Sequence, residues 1–393
     1  MKEREYCIRD VSPQCAPWAM LYLALCATSE RAADARLVEQ MPLAEVLRHA
    51  KRHDTVACVY EALKPFVGRT ELWQGSLPSW QHAIKLSLRR TMLFRSEFEA
   101  VCQFLEEAEI PYMPLKGIRL ASLYPASHLR DMADVDIWYD RRRREEVRSF
   151  FKERGYSVSE SGNHDAFVKP PVYNFEMHTD LFSALKNESF ANYYVHFEEK
   201  MGEKDGKSER VMHAEDAYIY LVLHEYRHFL SGGVGVRYLL DRYCYATAHR
   251  SMDLACVARE LALVGAEEYH ATTEALVAWL FADPARLFSS QRTDGELSLL
   301  AHAELFLSFG VHGTFNREVE QQLLRASGGK AITRRGRIRW MLRRLFPPVS
   351  FMRVYAERHC PRLLRPLPLA YLWRIVSSVG RIPRHVRRSM KVK

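Results

Sequence analysis

The sequence predicts an α+β fold, in which a small α/β core is embedded in a chain that is predominantly helical. Apolar residues recur at spacings of three and four before residue 98 and again after residue 214, as in amphipathic helices. Between these helical parts, short runs are extended around prolines or alternate like strands, at 110–115, 132–139, 156–160, 164–169 and 172–178.

The same patterns divide the chain into four predicted regions. We expect an N-terminal helical region at 1–98, the α/β core at 99–200, a C-terminal helical domain at 201–325, and a basic, arginine-rich segment at 326–393. A long helical pattern that begins near Pro78 leads from the first region into the core. The core is therefore expected to be flanked by helices on both sides in the sequence.

The composition is that of a globular protein, with 48% hydrophobic and 11% aromatic residues. No apolar run reaches the roughly 18–20 residues of a membrane-spanning helix, and residues 1–10 lack the apolar stretch of a signal peptide. The eight cysteines are scattered without a CxxC pair, which favours reduced thiols over a disulfide framework. We therefore expect a cytoplasmic protein without a transmembrane segment.

The net charge of +9 is concentrated near the end of the sequence. Residues 330–393 contain fifteen Arg and three Lys but a single acid, Glu357. Such a segment suits an anionic partner, such as nucleic acid, a lipid surface or an acidic protein. The alternative is that these arginines solvate helices and pair with the mildly acidic remainder of the chain.

Two aspartates mark a predicted strand of the core. Asp134 and Asp136 project from the same face of that strand, because strand side chains alternate with a period of two. A divalent cation would relieve their repulsion, and Mg²⁺ prefers carboxylate and phosphate oxygens. A later strand carries Glu176 and His178 on one of its faces. If the two strands are neighbours, Glu176 becomes a third carboxylate, and three carboxylates can hold two cations for phosphoryl displacement.

A Lys-Gly turn precedes these acids and supplies positive charge. Gly117 allows a tight turn into a short helix, whose first N–H groups attract phosphate. Lys116 and Arg130 are cationic groups suited to a triphosphate. A DxD pair or a Lys-Gly turn alone is common and is usually a solvated turn or strand edge. The order and spacing of the pieces make them a candidate site.

This stretch resembles the uncharacterised nucleotidyltransferase family of the DNA polymerase β superfamily. The matching residues are, in order, Leu115-Lys116-Gly117, Tyr124-Pro125, Arg130, Asp134-Val135-Asp136 and Glu176-Met177-His178. The helical segment with His224 and His228, followed by Arg237 to Asp241, is similar to the family's second helical region. The resemblance implies a polymerase-β-like core with a mixed sheet. The superfamily's usual glycine-serine pair is Lys116-Gly117 here, so the phosphate-binding serine is absent.

The resemblance also implies a reaction, in which NMP moves from an NTP to a hydroxyl acceptor and pyrophosphate is released. In this hypothesis Asp134, Asp136 and Glu176 are catalytic and hold two Mg²⁺ ions, for which Mn²⁺ can substitute. Glu176 is also placed to take the proton of the acceptor. Lys116, Gly117 and Arg130 bind the triphosphate, and His178 supports the metal ligands. A small molecule, a peptide, a protein and a tRNA all stay open as acceptors.

Two alternatives from other classes stay open at this stage. Residues 224–228 read HEYRH, which matches the HExxH motif of zinc peptidases, with His224 and His228 as ligands and Glu225 as base. No third histidine follows in Phe229 to Gly235, and a polar helix face packed over the nucleotide site explains the same residues. Alternatively, the fold serves as a non-catalytic binding module, which the basic segment docks on RNA, a membrane or a partner enzyme.

Overall fold

The fold is that of a computed structural model. The structure describes residues 11–161, 163–183, 188–204 and 208–310, together with positions 334, 335, 338, 339, 342, 346, 349, 352, 356 and 367–379. The chain forms two compact units, Lys2–Phe315 and Asn316–Lys393, and Met1 is grouped with the second. The larger unit combines helices with a five-stranded mixed sheet and a two-stranded sheet. The predicted α+β fold is therefore confirmed.

Six α-helices precede the sheet within residues 11–111. Their bounds are α1 Ala16–Thr28, α2 Ala35–Val38, α3 Leu43–Arg52, α4 Val56–Leu63, α5 Thr70–Trp73 and α6 Leu77–Glu107. Helix α1 is apolar on all sides, and it is buried from Trp18 to Thr28. Its side chains share one apolar cluster with Leu239, Leu276 and Phe306. The helices on the two sides of the core sequence are thus joined by a common hydrophobic interior.

The mixed sheet has the strand order β1-β2-β5-β4-β3. The strands are β1 Tyr112–Pro114, β2 Val135–Tyr139, β3 Ser157–Ser161, β4 His164–Lys169 and β5 Tyr173–His178, and two helices, α7 Lys116–Ala121 and α8 Arg144–Glu153, lie between them in sequence. Strands β2 and β5 are parallel, and the other neighbouring pairs are antiparallel. The three later strands lie within two residues of their predicted positions.

The two faces of β2 meet different surroundings. Val135, Ile137 and Tyr139 are fully buried in an apolar cluster with Phe94 of α6 and Phe151 of α8. Trp138 points the other way, into a separate cluster that includes Tyr218. The alternation predicted for β2 is therefore confirmed, and its acidic face is the one that lies towards the later helices.

The later helices complete the larger unit. They are α9 Glu188–Tyr193, α10 Ala214–Ser231, α11 Arg237–Ala248, α12 Leu254–Leu263, α13 Glu267–Ala282 and α14 Asp294–Phe309, with the small sheet of β6 Met201–Glu203 and β7 Arg210–Met212 before α10. A capping box of Thr293 and Glu296 fixes the start of α14. Helix α10 carries the HEYRH segment and is central to the site described below.

The second unit is described at fewer positions. It contains helix α15, Leu367–Val379, and the ring of Tyr371 lies 6.2 Å from that of Phe346. Much of the predicted basic segment falls outside the described residues. Across the parts of the chain that the structure does describe, no helix combines the length and apolar character needed to cross a membrane.

Candidate active site

The parallel pairing of β2 with β5 brings the predicted acids together. Asp136 lies directly opposite Glu176 in the register, and Trp138 lies opposite His178 two residues further along. Side chains at paired positions of neighbouring strands project from the same face of a sheet. Asp136 and Glu176 therefore share one face, and Asp134 immediately precedes β2. We refer to Asp134, Asp136 and Glu176 as the sheet acids.

Lys116 begins α7 directly after β1 and reaches back to the sheet acids. Its Nζ lies 3.0 Å from Oδ2 of Asp136, and the two side chains are only 13% and 3% exposed. The backbone N–H of Leu115 donates to the carbonyl of Asp136 at 2.9 Å, which fixes the start of α7 against β2. The structure thus brings together Lys116 and Asp136, as a largely buried ion pair.

Gly117 has a different setting from the tight turn that was expected. It is the second residue of α7, a helix of six residues. A Cβ atom at this position would lie 3.6 Å from Nη1 of Arg130, which is an ordinary van der Waals contact. Neither crowding nor a positive φ requires glycine here, so a special role for Gly117 stays a prediction.

His178 contacts two of the sheet acids. Its Nε2 lies 2.8 Å from Oδ1 of Asp136 and 3.6 Å from Oε2 of Glu176. Its Nδ1 lies 3.5 Å from Nδ2 of Asn163, which also donates to the carbonyl of Asp180 at 2.8 Å. The imidazole is therefore in position to orient the carboxylate of Asp136.

The charges of the sheet acids are unevenly balanced. Burial alone would raise the pKa of Asp136, but Lys116 and then His178 outweigh it and hold that pKa well below its usual range. Burial and then the charge of Asp136 raise the pKa of Asp134. Burial, followed by repulsion from Asp136 and Asp134, raises the pKa of Glu176 to about 7. The negative charge of Asp136 is thus balanced by Lys116 and His178, whereas Asp134 and Glu176 repel Asp136 and each other.

Sequence reasoning missed His164, which joins the same face from the next strand. Strand β4 pairs with β5 so that His164 lies opposite His178, with ring centroids 4.9 Å apart. Its Nε2 lies 3.7 Å from Oε2 of Glu176. The residue carries no motif of its own. The turn at Pro170-Pro171 was the available signal, because it sets the hairpin register that places His164 opposite His178.

Sequence reasoning also missed Arg227, the fourth residue of the HEYRH segment on α10. Nη2 of Arg227 lies 2.9 Å from Nε2 of His224 and 3.0 Å from Nε2 of His228. Nζ of Lys116 donates to the same His224 nitrogen at 2.9 Å. Burial, then Lys116 and Arg227, keep the pKa of His224 well below its usual range, so this imidazole is neutral and its Nε2 faces both cationic groups. Helix α10 therefore presents a cationic group beside the sheet acids.

Arg130 is paired with a carboxylate on a later helix, which the sequence did not indicate. Its Nε and Nη2 bind the two oxygens of Asp241 on α11, at 2.7 and 2.9 Å, and the hydroxyl of Tyr124 donates to the same carboxylate at 2.7 Å. The Arg130 side chain is 6% exposed. A bidentate buried partner thus holds Nε and Nη2 of the guanidinium, and phosphate binding by Arg130 stays a prediction.

The zinc-peptidase reading of HEYRH is also wrong in its key residue. Glu225 is fully buried, and its Oε2 accepts from Nε of Arg242 at 2.7 Å. Its other oxygen accepts from the hydroxyl of Tyr269. Because Glu225 is held on the side of α10 occupied by Arg242, it has no path to a water molecule at His224 and His228.

A cavity of about 250 Å³ adjoins Lys116 on the side of β1 and α7. Apolar side chains such as Met113 and Tyr220 line it, together with the polar ends of Arg119 and His249. A mostly apolar hollow with a few polar groups is typical of small-molecule sites. Lys116 belongs both to this lining and to the ion pair with Asp136, so the cavity borders the acidic cluster.

A mixed sheet with acids on two adjacent strands, preceded by a lysine that begins a short helix, defines the chain as a nucleotidyltransferase-like protein. A family model described as uncharacterised nucleotidyltransferase matches residues 40–282, more than half of the sequence, and the chain belongs to this family. Membership supports a general role in nucleotidyl transfer, with an NTP as substrate and with the divalent metals that such enzymes typically use.

Among solved structures, an antigenic nucleotidyltransferase-like protein from Paracoccidioides brasiliensis is similar at 14% identity, with a TM-score of 0.23. The similarity covers 40% of this chain and 88% of that protein. No curated protein matches this chain.

Proposed function

We propose that this protein transfers NMP from an NTP to a hydroxyl-bearing acceptor, with release of pyrophosphate. One observation carries the proposal: the β2–β5 register sets Asp136 beside Glu176, next to Asp134, with the ammonium of Lys116 3.0 Å away. Three carboxylates opposite a cation are what the binding of a metal-chelated triphosphate requires. Family membership supplies the same reaction class independently.

The donor set fits divalent cations. The raised pKa values of Asp134 and Glu176 reflect burial and like-charge repulsion, which bound Mg²⁺ or Mn²⁺ would relieve. In our proposal the sheet acids hold two such ions, which supply charge stabilisation for the phosphoryl group that is transferred. His178 is a positioning residue in this scheme, since its Nε2 contacts Asp136 at 2.8 Å.

The chain's own residues account for the remaining steps. The acceptor hydroxyl oxygen bonds to the α-phosphorus while the bond from that phosphorus to the bridging oxygen breaks, and pyrophosphate leaves. Glu176 takes the proton of the hydroxyl. Lys116 and Arg227 stabilise the negative charge of the departing pyrophosphate. The neutral His224 contacts both side chains and holds the two cations in place. Arg130 positions α11 against the core through Asp241.

Labelled nucleotide transfer tests the proposal. The protein is incubated with each α-labelled NTP, Mg²⁺ or Mn²⁺, and acceptor pools of metabolites, peptides, proteins and tRNA. We expect the label to move to one pool and Asp136→Asn to abolish the transfer. Asp180→Asn is the matched control, because Asp180 is an exposed acid two residues beyond His178. If the protein neither transfers label nor binds NTP, the proposed enzymatic activity is rejected. Full activity in Asp136→Asn would reject it as well, because the proposal depends on the sheet acids.

A non-catalytic binding module is the second candidate. The observation in its favour is that Asp136 is 3% exposed and already contacts both Lys116 and His178. Calorimetry combined with the transfer assay separates the two candidates. A binding module would bind NTP in calorimetry but would transfer no label to any acceptor. Under either candidate, an anionic partner for the basic segment at 326–393, and the region boundaries at 98, 200 and 325, stay predictions.

A further inference from the structure

The face of the sheet beside the aspartates holds a second group of metal-ligand side chains. His164 on β4, with Glu176 and His178 on β5, offers one donor atom each, and these atoms all lie within 4.8 Å of one another. The β4–β5 register places His164 directly opposite His178. Three donors on two paired strands form a site built on rigid elements of the sheet.

The distances match those between the ligands of one ion. Oε2 of Glu176 lies 3.7 Å from Nε2 of His164 and 3.6 Å from Nε2 of His178. Two ligand bonds of about 2.1 Å at a tetrahedral angle put their donor atoms about 3.4 Å apart. Both distances to Glu176 are close to that separation, and all three donor atoms lie within 4.8 Å of one another. The three side chains are 16%, 27% and 7% exposed, in the order His164, Glu176 and His178, so the carboxylate is open to solvent.

The chemistry of these donors differs from that of the aspartates. Mg²⁺ prefers oxygen ligands, whereas imidazole nitrogen favours first-row transition ions. Lys116 approaches Asp136 at Oδ2, and His178 approaches it at Oδ1, so the imidazole group and the ammonium lie on different sides of this carboxylate. A cation held by His164, Glu176 and His178 would take the Nε2 of His178 from its contact with Asp136, and it would not have to displace Lys116.

We propose that His164, Glu176 and His178 form a subsite for a first-row transition ion such as Mn²⁺, beside an oxygen-only subsite formed by Asp134, Asp136 and Glu176. The inference deepens the proposed function because Glu176 belongs to both subsites. Its test needs no nucleotide, so the two proposals can fail separately.

The experiment uses Mn²⁺ as the probe with the full chain. Pulsed electron paramagnetic resonance detects ¹⁴N coupling when an imidazole is bound to Mn²⁺, and a titration gives the affinity. We expect ¹⁴N coupling in the unaltered protein, a weaker coupling in His164→Ala, and at least a tenfold loss of Mn²⁺ affinity, on the scale of losses seen when metal-site partners are removed. An excess of Mg²⁺ should leave the nitrogen-coupled Mn²⁺ in place.

Two variants complete the test. His82→Ala removes an exposed histidine on α6 and should change neither coupling nor affinity. His164→Gln keeps a polar side chain of similar size, and it replaces His164→Ala if that variant fails to fold. Absence of ¹⁴N coupling, or unchanged affinity in the folded His164 variant, would overturn the subsite. Normal transfer with Mg²⁺ would then leave the proposed function standing, whereas retained coupling without any transfer would reject the function and keep the subsite.

Discussion

Two groups of largely buried acids lie at different faces of α10, one on the sheet and one that includes Glu225 of α10 itself, and they differ in how their charge is balanced. On one face, the sheet acids meet the ammonium of Lys116 through Asp136. On the other, Glu225 and Glu274, which we call the helix acids, share the guanidinium of Arg242 at 2.7 and 2.8 Å. Tyr269 donates to Glu225 and Tyr218 donates to Glu274, so the helix acids have a full set of neutral and charged donors.

The comparison favours Glu176 over Glu225 as the residue of a cation-binding site. The pKa is raised at both Glu176 and Glu225, and burial is the largest cause in each. At Glu225 the next influence is the opposing charge of Arg242, which lowers the pKa. At Glu176 it is the like charge of Asp136, which raises the pKa further. A surplus of buried negative charge destabilises the folded protein when no cation is bound, but it favours the binding of a cation.

The same isosteric substitution at each group gives the largest expected effect at the sheet acids. In Glu176→Gln we expect NMP transfer to fall by about 10²–10³-fold or more, because a charge aimed at the reacting groups is lost. We expect no loss of thermal stability, because repulsion with Asp134 and Asp136 is removed. Label transfer and thermal unfolding are measured on the same sample. A destabilised variant with unchanged activity would contradict this assignment.

Glu225→Gln should show the reverse behaviour. It leaves the fully buried Arg242 with one carboxylate fewer, and removing one partner of a buried pair costs about 3–5 kcal/mol. Urea denaturation measures this loss, and transfer per folded molecule should stay close to that of the unaltered protein. Adding Arg242→Met should recover much of the stability. Arg142→Met, in an exposed ion pair, is the control and should show no measurable change. A stable Glu225→Gln that has lost NMP transfer would contradict the structural role and place Glu225 in the active site.

Two further variants, Arg130→Lys and Lys116→Gln, distinguish a positioning arginine from a phosphate-binding lysine. Arg130→Lys loses the bidentate geometry with Asp241 and should cost about 1–3 kcal/mol of unfolding free energy, with little change in the KM for NTP. Lys116→Gln should raise that KM instead. Steady-state kinetics combined with denaturation checks both. A raised KM in Arg130→Lys without loss of stability would return Arg130 to the triphosphate.

The sequence predicted the parts of the site that depend on local periodicity. Asp134 and Asp136 follow from the period of two, and the facing position of Glu176 follows once β2 and β5 are neighbours. Lys116 was placed by its position between a strand and a helix. Each of these inferences needs only the elements within one stretch of the core and the family pattern that connects them.

The residues that were missed or misread depend on distant partners. Arg130 looked available for phosphate because its partner, Asp241, lies 111 positions later. Glu225 matched HExxH, yet Arg242, 17 positions on, decides its role. Arg227 was read as a variable position of that motif, although its guanidinium contacts both histidines. A motif records spacing along one helix, whereas these roles come from what the next helix presents to it.

The smallest expected effect concerns pH and the helix acids. His270 is 6% exposed, and burial followed by repulsion from Arg242, whose Nη1 lies 3.2 Å from Nδ1, lowers its pKa to about 4. In the unfolded chain it titrates near pH 6.5, so between about pH 6.5 and 4 the unfolded state binds the extra proton. The stability that His270 contributes is thus complete above pH 6.5 and is lost as the pH falls towards 4.

At pH 5.5 we expect this linkage to remove about 1 kcal/mol of the unfolding free energy relative to pH 7.5. Urea denaturation at both pH values measures the difference. His270→Gln should lose that share of the pH dependence, whereas His82→Gln, at an exposed position, should retain it. Equal pH dependence in His270→Gln and the unaltered protein would mean that the histidine beside Arg242 accepts a proton in the folded state. A protonated His270 would then add positive charge to that of Arg242 beside the helix acids. The charge balance of the helix acids would in that case differ less from that of the sheet acids.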